Sequence, residues 1–231
     1  EIKALESRGV NTAPAVLTTA ELQDEDWSDT WKQYFHTEKR GERVVIKPTW
    51  EEYEPKDDEV VIELDPGAAF GTGTHATTSM CIRQLEKLVK PGMTVFDVGT
   101  GSGILSIISA KLGATNIQAV DYDDSVLKIV EENLEQNNVQ DIISVAQSDL
   151  MQNVHGKAEL VIANIIADII IRLFDQLDEH LEQGGTLLTS GIIEDRIEDV
   201  LAAAEKHGYG VVERMENKGW ACITFKRKVD M

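Results

Sequence analysis

Three glycines at alternate positions follow an apolar run in Val95-Phe96-Asp97-Val98-Gly99-Thr100-Gly101-Ser102-Gly103. A side chain at Gly99, Gly101 or Gly103 would keep a ligand away from the backbone. The helix start behind such a turn offers free N–H groups and a partial positive charge. The segment therefore reads either as a nucleotide-binding turn or as the tightest route from strand to helix. Asp121 ends the next apolar run, 22 residues beyond Gly99. A carboxylate there can accept from both hydroxyls of a ribose. It could also cap the following helix, but Asp123, Asp124 and Ser125 can all do that, which favours the ribose role. Asp149, after a further strand, could accept from an exocyclic purine amine or be an ordinary turn aspartate. Asn164 ends Leu160-Val161-Ile162-Ala163. Taken alone it is most simply a helix cap. Its amide oxygen could instead accept from a substrate amine and aim the nitrogen lone pair at an electrophile.

A second candidate segment runs from Pro66 to Thr78 and holds Phe70-Gly71-Thr72-Gly73-Thr74-His75 and Thr77-Thr78. Hydroxyls and backbone amides at this density can wrap a charged ligand, which a plain surface loop does not explain. The five histidines form no HxH or HxxxH cluster, so no metal centre is expected, at His75 or elsewhere. Cys81 and Cys222 are far apart and read as free thiols in a reducing cytoplasm.

The elements that must carry these residues alternate regularly. Strands are expected at 60–64, 94–98, 117–121, 143–147, 158–164 and 186–190, and helices at 76–89, 103–112, 125–137, 167–182 and 195–207. Then the rhythm breaks: 209–216, the turn Asn217-Lys218-Gly219 and 220–226 form a β-hairpin. A short turn cannot make a parallel crossover, so the last strand must run antiparallel. The fold class is α/β and Rossmann-like: a seven-stranded, mostly parallel sheet with an antiparallel last strand and helices on both faces. Residues 1–57 read as a linker helix and small N-terminal segment, and 58–231 as the main domain. Trp27, Trp31 and Tyr34/Phe35 share a helix face, a spacing that points to packing rather than a cofactor box. Val44-Val45-Ile46, ended by Lys47-Pro48, reads as an edge strand.

With 231 residues the chain can bury a large core, and no apolar run approaches the roughly 18 residues needed to cross a bilayer. No signal-peptide pattern opens it, and a start at Glu1 suggests a piece or processed product. The net charge of −19 argues against gripping nucleic acid, which needs a basic face, and suits a basic partner. No surplus apolar helix stands out, so a monomer is expected.

Taken together, the Asp97–Gly103 turn, Asp121, Asn164 and the closing hairpin resemble the class I S-adenosylmethionine-dependent methyltransferases. The 65–78 loop, Asn164-Ile165-Ile166-Ala167 and Ile46-Lys47-Pro48-Thr49-Trp50 resemble, more narrowly, the bacterial methyltransferases of large-subunit ribosomal protein eleven. The resemblance implies S-adenosyl-L-methionine as cofactor, held by Thr78, Gly99, Asp121 and Asn164 with the Phe70–Thr74 loop closing over it. It implies a lysine-bearing ribosomal protein as substrate, and a small substrate-recognition domain ahead of the linker, of which residues 1–26 would be the tail. Ile165-Ile166-Ala167 replaces the two prolines and aromatic of many amine methyltransferases, leaving a roomier apolar pocket that disfavours a stacked nucleobase. No His or Cys reads as a general base, so the amine is expected to lose its proton to solvent. The competing functions are a nicotinamide oxidoreductase, a methyltransferase of nucleic-acid or small-molecule amines, and a non-catalytic cofactor-binding fragment. Against the first, the glycine spacing is not G-x-G-x-x-G.

Overall fold

The computed structural model describes residues 35–65 and 75–231. The expected Trp27/Trp31 helix lies outside them. Within this part, His36–Met231 form one compact unit. It opens with a small sheet of β1 (Glu38–Lys39), β2 (Val44–Lys47) and β3 (Val60–Glu63). β2 pairs antiparallel with β1 and parallel with β3, so it is the central strand and not an edge. Proline ends it without exposing it, because Pro48 follows the last paired residue, Lys47. The β2–β3 pairing and the compact unit both run across the expected boundary at 57/58.

Seven strands build the main sheet: β4 (Thr94–Val98), β5 (Asn116–Asp121), β6 (Ile143–Gln147), β7 (Ala158–Asn164), β8 (Leu181–Ile193), β9 (Tyr209–Asn217) and β10 (Trp220–Arg227). Their order is β6-β5-β4-β7-β8-β10-β9. β4 to β8 are mutually parallel, and the last strand is antiparallel to both neighbours, β8 and β9. Lys218 and Gly219, both at positive φ, make the two-residue hairpin turn that forces this direction.

The connecting helices are α1 (Ala76–Leu88), α2 (Ile104–Lys111), α3 (Leu127–Gln136), α4 (Ala167–His180) and α5 (Ile197–Lys206). α4 stops at His180, short of the expected Glu182, because Leu181 already pairs with Ala158 as the first residue of a long β8. Alternate strand residues face opposite layers, as the two-residue strand period requires. Val95, Leu160, Ile162 and Leu188 pack with the α1–α3 side and with Val44, Ile46 and Ile62 of the small sheet. Phe96, Val161, Leu187 and Phe225 pack with α4 and α5.

Polar side chains tie the small sheet to this core. Glu86, on α1, accepts from the backbone N–H groups of Glu42, Arg43 and Val44 at 2.8, 2.7 and 2.8 Å. Asn137 accepts from the Glu63 N–H at 2.9 Å and donates to the Glu63 carbonyl at 2.7 Å. Beyond β3, Asp65 accepts from the Thr49 N–H and hydroxyl, both at 2.7 Å. Cys81 and Cys222 are free, as expected, and both are buried. Among the described residues no helix is long and apolar enough to cross a membrane.

Candidate functional site

The chain runs outward from β4 through β5 to β6, then returns to β7 on the other side of β4. At such a reversal the loops leaving two adjacent strands part, and a crevice opens at the carboxyl ends. Strand register then dictates what meets there. Asp97 pairs with Ile162, so the turn beginning at Gly99 lies beside Asn164 and Ile165. Asp121 pairs with Gln147, which brings Ser148 and Asp149 next to Asp121 and Tyr122. Asn164 pairs with Ser190, so Gly191 meets Ile165.

The result is a groove of about 790 Å3, within the usual range for small-molecule sites. Gly99, Gly101, Asp121, Asp149 and Asn164 all line it. Thr78 and Gly103 lie behind it. Thr78 is fully buried in the first turn of α1 and reaches the site only through Asn164, whose Nδ2 stands 3.5 Å from its hydroxyl. Thr77 lines the groove in its place. Gly103 is the α2 N-cap at φ 81°, and a Cβ there would stand 2.9 Å from Val130 Cγ1. Its missing side chain makes room for Val130 of α3. Phe70, Gly71 and Thr72 lie outside the described residues.

Two carboxylates hold the glycine turn. Asp97 is buried; its Oδ2 accepts from the Thr100 hydroxyl at 2.8 Å and the Ser106 hydroxyl at 2.7 Å. Burial pushes its carboxyl above the usual range; the two hydroxyls pull it down, and the nearby Asp121 charge pushes it up. A native pKa raised above the unfolded value stabilises the protein at acid pH, and the contribution is lost as pH rises through the native value. Asp97→Asn, which keeps an acceptor and removes the charge, should therefore gain melting temperature relative to wild type as pH rises from acid to neutral. A difference independent of pH would contradict this account of Asp97. Asp121 Oδ2 accepts from the Gly101 N–H at 2.9 Å, and Oδ1 from the Asp123 N–H at 3.1 Å. Each oxygen keeps a second lone pair for a ligand hydroxyl. The cap of the following turn is Asp123, which accepts from the Ser125 N–H at 2.9 Å.

Asn164 is not a cap either. The α4 N-cap is Ile166, which makes no side-chain bond. Asn164 Oδ1 is buried, and no donor among the described residues reaches it. A buried carbonyl without a partner costs roughly 1–3 kcal/mol.

The sequence reading passed over Tyr122, Ile169, Arg172, Gly191 and Trp220, all of which line the groove. Tyr122, 75% exposed, follows Asp121 directly. Ile169 and Arg172 lie three residues apart on one face of α4, a spacing that could have identified them. Gly191 lies near the carboxyl end of β8, one residue past Ser190, where a glycine was the available signal. Trp220 and His75 meet edge to face at 5.1 Å, and His75 caps α1 by accepting from the Thr77 N–H at 3.4 Å. Among the described residues no group of His, Cys, Asp and Glu could hold a metal ion.

The family model described as "Ribosomal protein L11 methyltransferase (PrmA)" matches residues 2–228. A ribosomal protein L11 methyltransferase of Caldanaerobacter subterraneus subsp. tengcongensis is 48% identical over 97% of this chain and 72% of its own length. One from Alkaliphilus oremlandii is 45% identical over 98% and 72%. The crystal structure of a ribosomal protein L11 methylase from Lactobacillus delbrueckii subsp. bulgaricus superposes with a TM-score of 0.79 at 35% identity. That match covers 84% of this chain and all of that one.

Proposed function

The chain belongs to the ribosomal protein L11 methyltransferase family, and from that premise we propose that its groove carries methyl groups from S-adenosylmethionine to lysine or N-terminal amines of ribosomal protein L11. When bound, S-adenosylmethionine supplies a methyl on a positively charged sulfur, electrophilic toward an amine. The residues of the groove fit that group. The free lone pairs of Asp121 suit two ribose hydroxyls. Tyr122 and Leu150 offer apolar surface to a purine, and Asp149 an acceptor for its exocyclic amine. The left-handed backbone of Gly99 and Gly101, bare of side chains, lets the chain run close against the amino-acid end.

The observation that carries the reading is the buried Oδ1 of Asn164 beside the glycine turn, which no donor among the described residues reaches. It accepts from the substrate amine and so fixes where the nitrogen lone pair points. The lysine ammonium, of ordinary pKa about 10.4, must lose a proton first. His75 Nδ1 is engaged by Thr77, and the proton is taken to leave to water. Ile165 and Ile166 exclude water from the reacting pair without the flat aromatic slot a nucleobase needs. The acidic balance of −19 suits a basic ribosomal protein and disfavours direct nucleic-acid contact. We further propose a monomer acting in the cytoplasm, where that substrate is made.

The test is radiolabelled donor incubated with the chain and purified L11: label should enter L11, and a chain that binds donor but labels nothing refutes the proposal. Asp121→Ala should weaken donor binding in a calorimetric titration by roughly 1–3 kcal/mol, the cost of the hydroxyls left unpaired. Unchanged affinity would remove Asp121 from the ribose site.

A further inference from the structure

Asp149 does not stand alone at the purine end of the groove. Arg172, on α4, sets one guanidinium nitrogen against both carboxylate oxygens, Nη2 lying 3.1 Å from Oδ1 and 2.9 Å from Oδ2. Both residues line the groove. Arg172 shares a face of α4 with Ile169, and α4 starts three residues after Asn164. One rigid helix thus connects the amine end of the site to the carboxylate at the other end.

We infer that Arg172 is a positioning residue that locks the Asp149 carboxylate in one orientation and thereby makes the groove select a 6-amino purine over a 6-oxo purine. This rests on the cofactor reading above. A carboxylate only accepts hydrogen bonds. Held still, it takes the exocyclic N–H of adenine and meets the carbonyl of hypoxanthine with lone pair against lone pair. Freed from Arg172, it can turn to follow the N1–H that hypoxanthine gains, and the distinction fades. The pair is half exposed, with side-chain exposures of 51% and 35%. Ion pairs so placed add little to stability, so Arg172 sets orientation and is not needed to hold the fold together.

The experiment is a calorimetric titration of the full chain with S-adenosylhomocysteine and with S-inosylhomocysteine, its analogue with a carbonyl in place of the amine. The ratio of the two affinities is internal to each protein, so loss of some active material does not alter it. Wild type should prefer the adenosyl compound by about tenfold or more, the worth of one charge-assisted hydrogen bond. In Arg172→Ala the ratio should fall to about two- or threefold, and Arg172→Lys, which keeps a cationic donor, should restore part of it. An Arg172→Ala protein with the wild-type ratio overturns the inference while leaving the cofactor reading intact. A wild type that binds neither compound overturns both.

Discussion

Replacing Asn164 by alanine is expected to remove nearly all methyl transfer while leaving the protein as stable as wild type. Both halves follow from one atom. Oδ1 is buried and has no partner among the described residues, so the native state carries a desolvation cost of roughly 1–3 kcal/mol that alanine relieves. The loss on the other side is small. Nδ2 stands 3.5 Å from the Thr78 hydroxyl, at the edge of hydrogen bonding. Activity has no such compensation. Without the acceptor, the amine rotates freely against the electrophilic carbon. The penalty should be about 10²–10³-fold in turnover, or roughly 3–4 kcal/mol, as for other single groups that orient a reacting centre. Single-turnover rates and melting curves on the same preparation check both halves. Turnover at the wild-type rate removes Asn164 from the mechanism.

Gly191→Ala should be among the most destabilising single-methyl additions in the molecule. Gly191 has φ +82°, and a Cβ there would stand 2.5 Å from the Ile165 carbonyl oxygen and 2.9 Å from its carbon. Those are backbone atoms, so a rotamer change cannot relieve the clash. Left-handed strain and overpacking together should cost roughly 2–4 kcal/mol. The displaced segment is the one that follows Asn164, so transfer should slow as well. Gly184 provides the control: its φ is +75°, yet nothing lies within 4 Å of the added carbon. Gly184→Ala should cost only the conformational part, about 1 kcal/mol. Equal losses for the two variants in denaturant unfolding would show that the contact with Ile165 does not matter.

Much of this was legible in the chain before any coordinates. Asp97–Gly103, Asp121 and the 209–226 hairpin each declare a local necessity: a turn that only glycine permits, a carboxylate not needed as a cap, a strand too soon for a crossover. Such features depend on neighbours in sequence. What escaped depends on register. Gly191 matters because Asn164 pairs with Ser190, and Arg172 because α4 runs back past the end of β6. The small sheet was misread for a related reason. Val44–Ile46 carries no mark that β3 would pair along its second side. Gly103 looked like Gly99 and differs only in what stands opposite it, Val130 in one case and Ile165 in the other. Asn164 was the hardest to judge, since a cap and an amine acceptor ask for the same side chain. Ile166 at the N-cap removes the first of these readings, and the second stands as the proposal.

The central claim is that this groove methylates amines. Its most direct test is intact-mass spectrometry of L11 after incubation with the chain and S-adenosylmethionine, beside L11 whose amines were first acetylated. Untreated L11 should gain mass in whole methyl steps, and the acetylated protein should gain none. Equal gains on both would mean that the acceptor is not an amine, and the role argued for Asn164 would fall with it.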